Sequence, residues 1–532
     1  MRYLEAHFFG KDMKPLKKKD LIEAGWPRGP QLVEMLDKVR ELQERGVCDR
    51  KYLFKLLSRD YGAPEPKAKM REKAAPFTEA IQGETKEEKE NIEAVRQQMD
   101  GLLKVPVIQK GAVMPDACPA SRSPAVIPVG GVIAVENAII PSAHSADVCC
   151  SMFASFYEKR SEVSEELDAL VSSTRFGPGG RHYDDLVPHE VMDEEVWDNP
   201  FLSGLRERGV IHIADQGDGN HFSFLGEVTV DEEFVTRLRE VGYQQLASEL
   251  EGEKVEGKEK SRTLRVLVTH HGSRSLGAHL YKRGQGVALK QTEKAAQHVP
   301  KAGAWIDMNS DEGYHYWEAL QYVGRWTRAN HEAIHKRFLE RIQADKVAAF
   351  GNEHNFVWKR GDTFFHGKGA TPAWKDKGGR PLLGLIPLNM AEPILMVLGG
   401  DQEEFLSFAP HGAGRNVSRT KLMRRYPDLA TRRNVLAHHT QGIDVRWYCG
   451  QPDLSESPVG YKNAEQVREQ IKHFGLAEVV AEIRPLGCIM AGSSGRSWKE
   501  MKDEQLTPKQ KRQIVHRADR RRTKQDLGQW ED

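Results

Sequence analysis

The sequence predicts a fold of mixed helices and strands that begins with a helical segment. Between residues 105 and 492, short β-branched runs such as AVIPVGGVIAV and LRVLVTH are broken by glycine and proline, with helical patterns between them. Residues 1–104 are charged, helical in pattern and short of strand signals. The chain has 532 residues, of which 39% are hydrophobic, so it can bury a large core.

Residues 1–104 indicate a helical N-terminal extension that ends in a linker. Gly29 and Pro30 open a segment with leucine and valine at helical spacing, and Gly46 closes it. From residue 63 to residue 90, Lys, Glu and Pro are frequent, as is typical of linkers. We therefore expect a helical appendage joined to the rest of the chain by an extended segment.

The remainder divides into a large domain, residues 105–492, and a basic tail, residues 493–532. The clearest helix of the domain begins at Ser310 and carries an apolar stripe as far as Ile342. The tail is rich in Lys and Arg. It is either a solvated helix or frayed end, or an arm whose arginines bind phosphate.

Composition excludes several classes of protein. The 78 basic and 77 acidic residues leave a formal charge of +1, so any basic surface has to be local. No stretch approaches the roughly 18 unbroken apolar residues of a membrane span. The N-terminal sequence has no apolar signal region, which predicts a cytoplasmic protein. Six cysteines in so long a chain do not indicate a disulfide scaffold.

Five side chains belong to the types that hold divalent transition metals: Asp147, Cys150, His221, His270 and His354. A thiolate can bridge two ions while the other ligands divide between them, so the set is compatible with a binuclear site. Taken singly, each residue is more often structural. Cysteine with histidine favours zinc, whereas manganese prefers oxygen-rich shells, so these residue types leave the metal open.

Three glycine-rich turns suit phosphate. In HGAGR, from His411 to Arg415, two glycines let backbone N–H groups approach an anion beside an imidazole and a guanidinium. A histidine there can attack phosphorus and form a phosphoramidate, although a glycine turn with a structural histidine is the alternative. HGKGAT (366–371) and HHGSRSLG (270–277) have the same character.

Many of these candidates lie in short motifs that follow one another in a characteristic order. The motifs are MPD (114–116), DVCCSM (147–152), GNHF (219–222), HHGSR (270–274), HN (354–355), HGKGAT (366–371), HGAGR (411–415) with Ser418 and Arg419 after it, PVGYK (458–462) and RPLG (484–487). This order resembles that of RtcB-type RNA ligases. The resemblance spans residues 105–492 and is specific, because separate motifs recur collinearly.

The resemblance implies a single large α+β catalytic domain of packed sheets with surrounding helices, and two manganese ions at a cleft. By this resemblance, Asp147, Cys150 and His221 hold one ion. Cys150, His270 and His354 hold the second, so Cys150 bridges the pair.

The resemblance also implies the reaction, that of a 3′-phosphate/5′-hydroxyl nucleic acid ligase in RNA repair or tRNA splicing. His411 takes GMP from GTP and passes it to a 3′-phosphate RNA end, and an incoming 5′-hydroxyl end then displaces GMP. A 2′,3′-cyclic phosphate end is first opened by the same site. Asp116 matches an acid that handles the attacking hydroxyl, and an accessory activator protein often assists the family. The positions that match nucleotide contacts are Asn220, Asn355, His411, Gly412, Ala413, Gly414, Arg415 and Tyr461.

The chain departs from the family pattern on the nucleotide side. Met490 stands where the family has a lysine that contacts guanine, and Phe224 stands where it has a glutamate. Asn389 and Ile394 replace two serines, and Cys118 replaces a histidine. Because a site that loses hydrogen-bonding groups loses discrimination for its base, the nucleotide is GTP or another triphosphate.

Two functions of other kinds remain as alternatives. The first is a metal-dependent RNA-end phosphatase or cyclic phosphodiesterase that has lost nucleotidyl transfer. The second is a non-catalytic RNA-binding paralogue, which the presence of all the candidate metal ligands and of His411 makes the weakest interpretation.

Overall fold

The computed structural model describes most of the chain. The ranges are 16–26, 29–45, 47, 49–62, 68–120, 125–177, 179–252, 261–448 and 452–492. The predicted basic tail, residues 493–532, and Gly46 lie outside the described residues, so both interpretations of the tail stay open.

The α-helices of this part include the two that the sequence predicts most clearly, Pro30–Glu44 and Asp311–Arg341. The helix predicted at Ser310 runs from Asp311 to Arg341, and the Ser310 side chain caps it by accepting from the Gly313 amide at 3.0 Å. The helices are α1 (Lys18–Glu23), α2 (Pro30–Glu44), α3 (Arg50–Tyr61), α4 (Lys86–Leu102), α5 (Val163–Ser173), α6 (Arg206–Val210), α7 (Glu232–Glu240), α8 (Gln244–Leu250), α9 (Arg274–Ala295), α10 (Asp311–Arg341), α11 (Arg419–Arg425), α12 (Leu429–His439) and α13 (Ala464–His473).

The strands include the predicted LRVLVTH run, which lies in β10. The strands are β1 (Ala68–Lys69), β2 (Phe77–Glu79), β3 (Ile108–Cys118), β4 (Val129–Glu136), β5 (Ala138–Ile139), β6 (Ser151–Tyr157), β7 (Arg175–Phe176), β8 (Asp215–Gly217), β9 (Gly219–Val230), β10 (Arg262–His271), β11 (Ala296–Gln297), β12 (Ile306–Asp307), β13 (Lys346–Glu353), β14 (Asn355–Arg360), β15 (Thr363–Lys368), β16 (Ala370–Pro372), β17 (Leu383–Ile386), β18 (Ile394–Gly399), β19 (Phe408–Pro410), β20 (Asp444–Trp447) and β21 (Ala477–Gly492).

Two sheets position the site. The 8-stranded sheet has the order β13-β6-β10-β9-β21-β18-β17, with β20 paired to β21. The 5-stranded sheet has the order β14-β15-β4-β3-β2. One residue, His354, separates β13 of the first sheet from β14 of the second, so the chain passes between the sheets at that point. The fold is therefore a mixture of helix and sheet, as the sequence predicts.

The long helix α10 packs with α9 and α5 on the larger sheet. Its apolar side chains, among them Trp326 and Phe338, are fully buried in one cluster with Tyr157 and Leu267 of the sheet. Within the described residues, we find no helix with the length and apolar content that a membrane crossing needs.

The first part of the chain is more closely integrated than the linker interpretation expects. Helices α1 to α3 share a small apolar cluster that includes Leu21, Trp26 and Leu32. From residue 68 onward, β2 pairs in parallel with β3, and α4 buries Val95 and Met99 in a cluster with residues of the 5-stranded sheet. Strand pairing and apolar burial thus outweigh the polar, proline-containing composition of this segment.

Candidate active site

The five candidate metal ligands lie at the ends of neighbouring strands of the 8-stranded sheet. Cys150 immediately precedes β6, and Asp147 lies three residues earlier. His221 is near the start of β9, His270 is near the end of β10, and His354 follows β13. Because β13, β6, β10 and β9 are neighbours and antiparallel, the end of one strand lies beside the start of the next, so all five residues lie on the same side of the sheet along the strand direction.

The five side chains form two groups that share Cys150. Its Sγ lies 3.1 Å from His270 Nε2, which lies 3.2 Å from His354 Nε2. On the other side, Sγ lies 3.9 Å from His221 Nε2, which lies 3.1 Å from Asp147 Oδ2. Within each group of three, the ligand atoms lie within 4.8 Å of one another, so each group has the dimensions of a metal site.

The protonation of the first group also suits a cation. Burial lowers the pKa of His270 to about 3 and that of His354 well below its usual value, so both rings are neutral at neutral pH. His270 Nδ1 donates toward the Asn220 carbonyl at 3.4 Å, which leaves its Nε2 lone pair facing Cys150 and His354. Electron-rich atoms converge there at close range, and a divalent ion fits this donor set.

The second group holds a carboxylate and a thiol. Burial by itself raises the pKa of Asp147, but His221, Cys150 and Arg274 outweigh it and hold that pKa well below its usual range. Burial and the nearby Asp147 raise the pKa of the Cys150 thiol. A bound cation would instead lower the pKa of the Cys150 thiol, because the thiolate is the form that binds a metal.

His411 lies beside the first group, with its ring centroid 4.9 Å from that of His354. Its Nδ1 lies 2.6 Å from Asp116 Oδ2 and 2.8 Å from the Gly369 carbonyl oxygen. Both neighbours are acceptors, so Nδ1 carries the proton and Nε2 keeps its lone pair. Asp116 is fully buried and its contact with Nδ1 orients the imidazole, while the role toward an incoming hydroxyl that the resemblance implies stays a prediction.

Two glycines make this arrangement possible. Gly369 has φ of +67°, and a Cβ there would lie 2.9 Å from His411 Cε1. Gly414 has φ of +71°, and a Cβ there would lie 1.9 Å from the Asp116 carbonyl oxygen. The Asn355 side chain accepts from the Gly369 amide at 2.8 Å and fixes that turn. The glycines of both predicted anion-binding turns are therefore needed for close approach to His411 and Asp116.

His411 lines a cleft of about 580 Å³, and residues of both sheets line it as well. The candidates Asp147, Asn220, His270, Asn355, His411, Gly412, Ala413, Gly414, Arg415 and Tyr461 all line it. Lys368 lines it too, and burial lowers the pKa of that lysine to about 8 while the nearby Cys118 opposes the change. The cleft thus joins the candidate metal groups to the glycine-rich turns.

Arg415 differs from the free phosphate fork that its motif predicts. One terminal nitrogen donates to the Ser455 carbonyl, and the other donates to Glu456 at 2.8 Å and to Tyr461 Oη at 3.2 Å. Its guanidinium also lies over the Tyr461 ring, 4.7 Å from the centroid. The reason is Glu456, a fully buried carboxylate that needs positive partners and also pairs with Arg419.

Sequence reasoning did not single out Glu456 or the Gly369 carbonyl. The only available signal for Glu456 is its place two residues before the PVGYK motif. Nothing in the sequence marks a backbone oxygen as the acceptor for His411. Several apolar residues that line the cleft were also missed, including Phe222 and Met390.

Sequence comparison shows which known proteins the chain resembles. A sequence profile of the RtcB family, described as tRNA-splicing ligase RtcB, matches residues 195–491, more than half of the chain. The tRNA-splicing ligase RtcB of Thermococcus kodakarensis is 24% identical over 427 residues, which cover 68% of this chain and 84% of that protein. The RNA-splicing ligase RtcB of Escherichia coli K12 is 23% identical over 438 residues, 74% of this chain and 93% of that protein. For the tRNA-splicing ligase RtcB of Pyrococcus horikoshii, the values are 25% over 312 residues, 53% of this chain and 33% of that protein.

Proposed function

The chain belongs to the RtcB family, and we propose that it is a metal- and nucleotide-dependent ligase that joins RNA ends. Its substrates are an RNA with a 3′-phosphate or 2′,3′-cyclic phosphate and an RNA with a 5′-hydroxyl, as in RNA repair or tRNA splicing. One observation carries the proposal: the imidazole of His411, which lines the cleft and is hydrogen-bonded to Asp116, adjoins His354 of a candidate metal group. The names of the similar ligases support the same reaction.

We propose that the two groups hold two manganese ions. Asp147, Cys150 and His221 would hold one ion, and Cys150, His270 and His354 the other, with Cys150 shared. The donor atoms support two divalent cations, and the choice of manganese rests on the family resemblance. Such ions, when bound, neutralise phosphate charge and polarise phosphoryl oxygens.

His411 is the proposed nucleophile. Its Nε2 forms a bond to the α-phosphorus of a nucleoside triphosphate as the bond to pyrophosphate breaks. Asp116 stabilises the positive charge that develops on the ring while Nδ1 keeps its proton. The nucleotidyl group then passes to an oxygen of the RNA 3′-phosphate, which frees Nε2. The 5′-hydroxyl oxygen attacks that activated phosphorus, its proton passes to solvent, and the nucleoside monophosphate leaves.

A basic surface next to the cleft supports RNA as the substrate. Helices α11 (RTKLMRR) and α12 (LATRRNVLAHH) contain no acidic residue. Arg419 of α11 lines the cleft, where it pairs with Glu456, and Arg424 of α11 and Arg433 of α12 are exposed. Cations in this position can follow an RNA backbone from His411 outward. The basic tail, residues 493–532, stays a prediction, and its deletion should flatten the salt dependence of RNA binding if it also contacts phosphates.

The test is the covalent nucleotide adduct. The full-length protein with manganese is incubated with α-labelled GTP or ATP, and the label is expected on His411 as an acid-labile, base-stable phosphoramidate. His411→Ala should abolish it, whereas His473→Ala, at an exposed histidine of α13, should not. The labelled protein should then join RNA ends. Hydrolysis of a cyclic phosphate without an adduct from either nucleotide would instead identify a phosphoesterase, and RNA binding by metal-free protein without catalysis would identify a binding paralogue.

A further inference from the structure

One end of the cleft is apolar, and its lining comes from adjacent strands. On β9 and β21, Phe222 pairs with Met490 and Phe224 pairs with Cys488. Residues two apart on a strand share a face, so these four side chains form a patch on one side of the sheet. Ile394, the first residue of β18, continues the lining. The patch lies in the same cavity as His411.

The carboxylates that line the cleft are engaged elsewhere. Asp147 belongs to a candidate metal group, and Glu456 is bound by Arg415, Arg419 and Tyr461. Asn389 lines the cleft; one lone pair of its Oδ1 accepts from the Ala391 amide at 2.9 Å, and its NH₂ group can donate to a ligand. Among the side chains that the structure describes in the apolar patch, none carries an oxygen or nitrogen atom that could accept from a ligand edge rich in N–H groups.

The two purine bases differ in what they demand of such a surface. Guanine presents N1–H and an exocyclic amine on the same edge, and both need acceptors. Adenine presents one amine beside the acceptor N1, and its ring nitrogens can use a donor such as the amide of Asn389. A buried donor without a partner costs affinity, whereas flat ring surface gains from apolar contact in either base.

We propose that the apolar patch is the subsite for an adenine base, so that this protein takes its nucleotidyl group from ATP in preference to GTP. This inference rests on the proposed function, since the phosphates must reach His411. It assigns a specificity role to Phe224, Ile394 and Met490, which touch the base and take no part in the chemistry. One additional unpaired donor predicts a preference for ATP of about 5-fold to 150-fold.

The decisive experiment adds the N–H groups of the base edge in steps. The manganese-loaded full-length protein is given ATP, purine riboside triphosphate, ITP or GTP, and the rate of His411 adduct formation is followed by intact-protein mass spectrometry. Purine riboside triphosphate has neither N1–H nor an exocyclic amine, ITP has N1–H, and GTP has both. We expect ATP and the purine analogue to react fastest, ITP more slowly and GTP slowest. Equal rates for all four, or GTP fastest, would overturn the proposal.

Binding without chemistry separates this inference from the proposed function. Calorimetry with the α,β-methylene analogues of ATP and GTP measures affinity when no transfer is possible. Tighter binding of the adenine analogue with no adduct from any nucleotide would support the subsite and refute nucleotidyl transfer. An adduct formed fastest from GTP would support transfer and refute the subsite.

A pair of variants at Met490 tests the patch directly. Met490→Gln has nearly the same length and adds an acceptor, so it should shift the ratio of ATP to GTP rates toward GTP by at least about 5-fold. Met490→Leu adds no acceptor and should keep the wild-type ratio. An unchanged ratio in the folded Gln variant counts against the subsite. If that variant does not fold, the analogue series on the unmodified protein still decides.

Discussion

Asp116→Asn removes the negative charge next to His411 and keeps the shape of the side chain at position 116. The Asp116 carboxylate lies 2.6 Å from His411 Nδ1 and is fully buried. A hydrogen bond to a charged group contributes about 1.5–3 kcal/mol, so losing the charge should slow adduct formation roughly 10- to 150-fold. The loss should stop there, because the Gly369 carbonyl also accepts from Nδ1, at 2.8 Å, and keeps the ring in the same tautomer.

The assay is the single-turnover rate of labelled adduct formation, measured by rapid quench at saturating nucleotide. Asp184→Asn is a control, because it removes the same charge from an exposed aspartate–histidine pair with His182. The melting temperature must be measured alongside, since the Oδ1 position of Asp116 has no hydrogen-bond partner among the described atoms and an amide there costs about 1–3 kcal/mol of stability. A change below twofold would refute the role of Asp116. A loss near 10⁴-fold, as for a histidine in the wrong tautomer, would refute the role of Gly369.

Three further predictions concern the metals, the phosphates and the RNA. Cys150→Ser should abolish binding of both ions in a manganese titration, because both groups share that thiol; two ions bound with unchanged affinity would contradict the shared site. Lys368, with its pKa lowered to about 8 by burial, is charged below that pH and neutral above it, so triphosphate affinity should fall as pH rises through 8. Lys368→Arg should flatten this profile, and an equally steep profile in that variant would assign the dependence to another group. Arg424→Glu combined with Arg433→Glu should weaken RNA binding and reduce its salt dependence without changing the rate of adduct formation. The control is Arg341→Glu, an exposed change at the end of α10, which should alter neither RNA binding nor its salt dependence. A double variant that binds RNA like the control would show that the α11–α12 surface does not bind RNA.

Local signals were sufficient for the clearest elements of the fold. Ser310 as a cap and an apolar stripe as far as Ile342 predict α10, and Pro30 after Gly29 predicts the start of α2. Residues 63–90 were harder, because the segment that forms β2 has a linker-like composition. Its pairing with β3 depends on a strand more than thirty residues away, which no local pattern encodes.

The candidate site shows the same division. The side-chain chemistry of Cys150, His270 and His411 marks them as ligands or a nucleophile before any fold is known. Their convergence is not local, because it depends on which strands are neighbours and which strand ends meet. Arg415 illustrates the limit: its motif predicts a phosphate fork, yet the buried Glu456, 41 residues later, binds its guanidinium.

The sequence by itself determined the chemical inventory: thiol, carboxylate and imidazole donors, glycine turns beside a histidine, and motifs in the order of one family. These properties belong to residue types and short spacings, so they survive without a fold. Only the tertiary structure decided that Asp116 is hydrogen-bonded to His411, that Arg415 forms an ion pair with Glu456, and that Phe224 and Met490 share one apolar patch in the cleft. The reason is physical: hydrogen-bond partners and cleft walls are set by strand order and register, which bring together residues far apart in the chain.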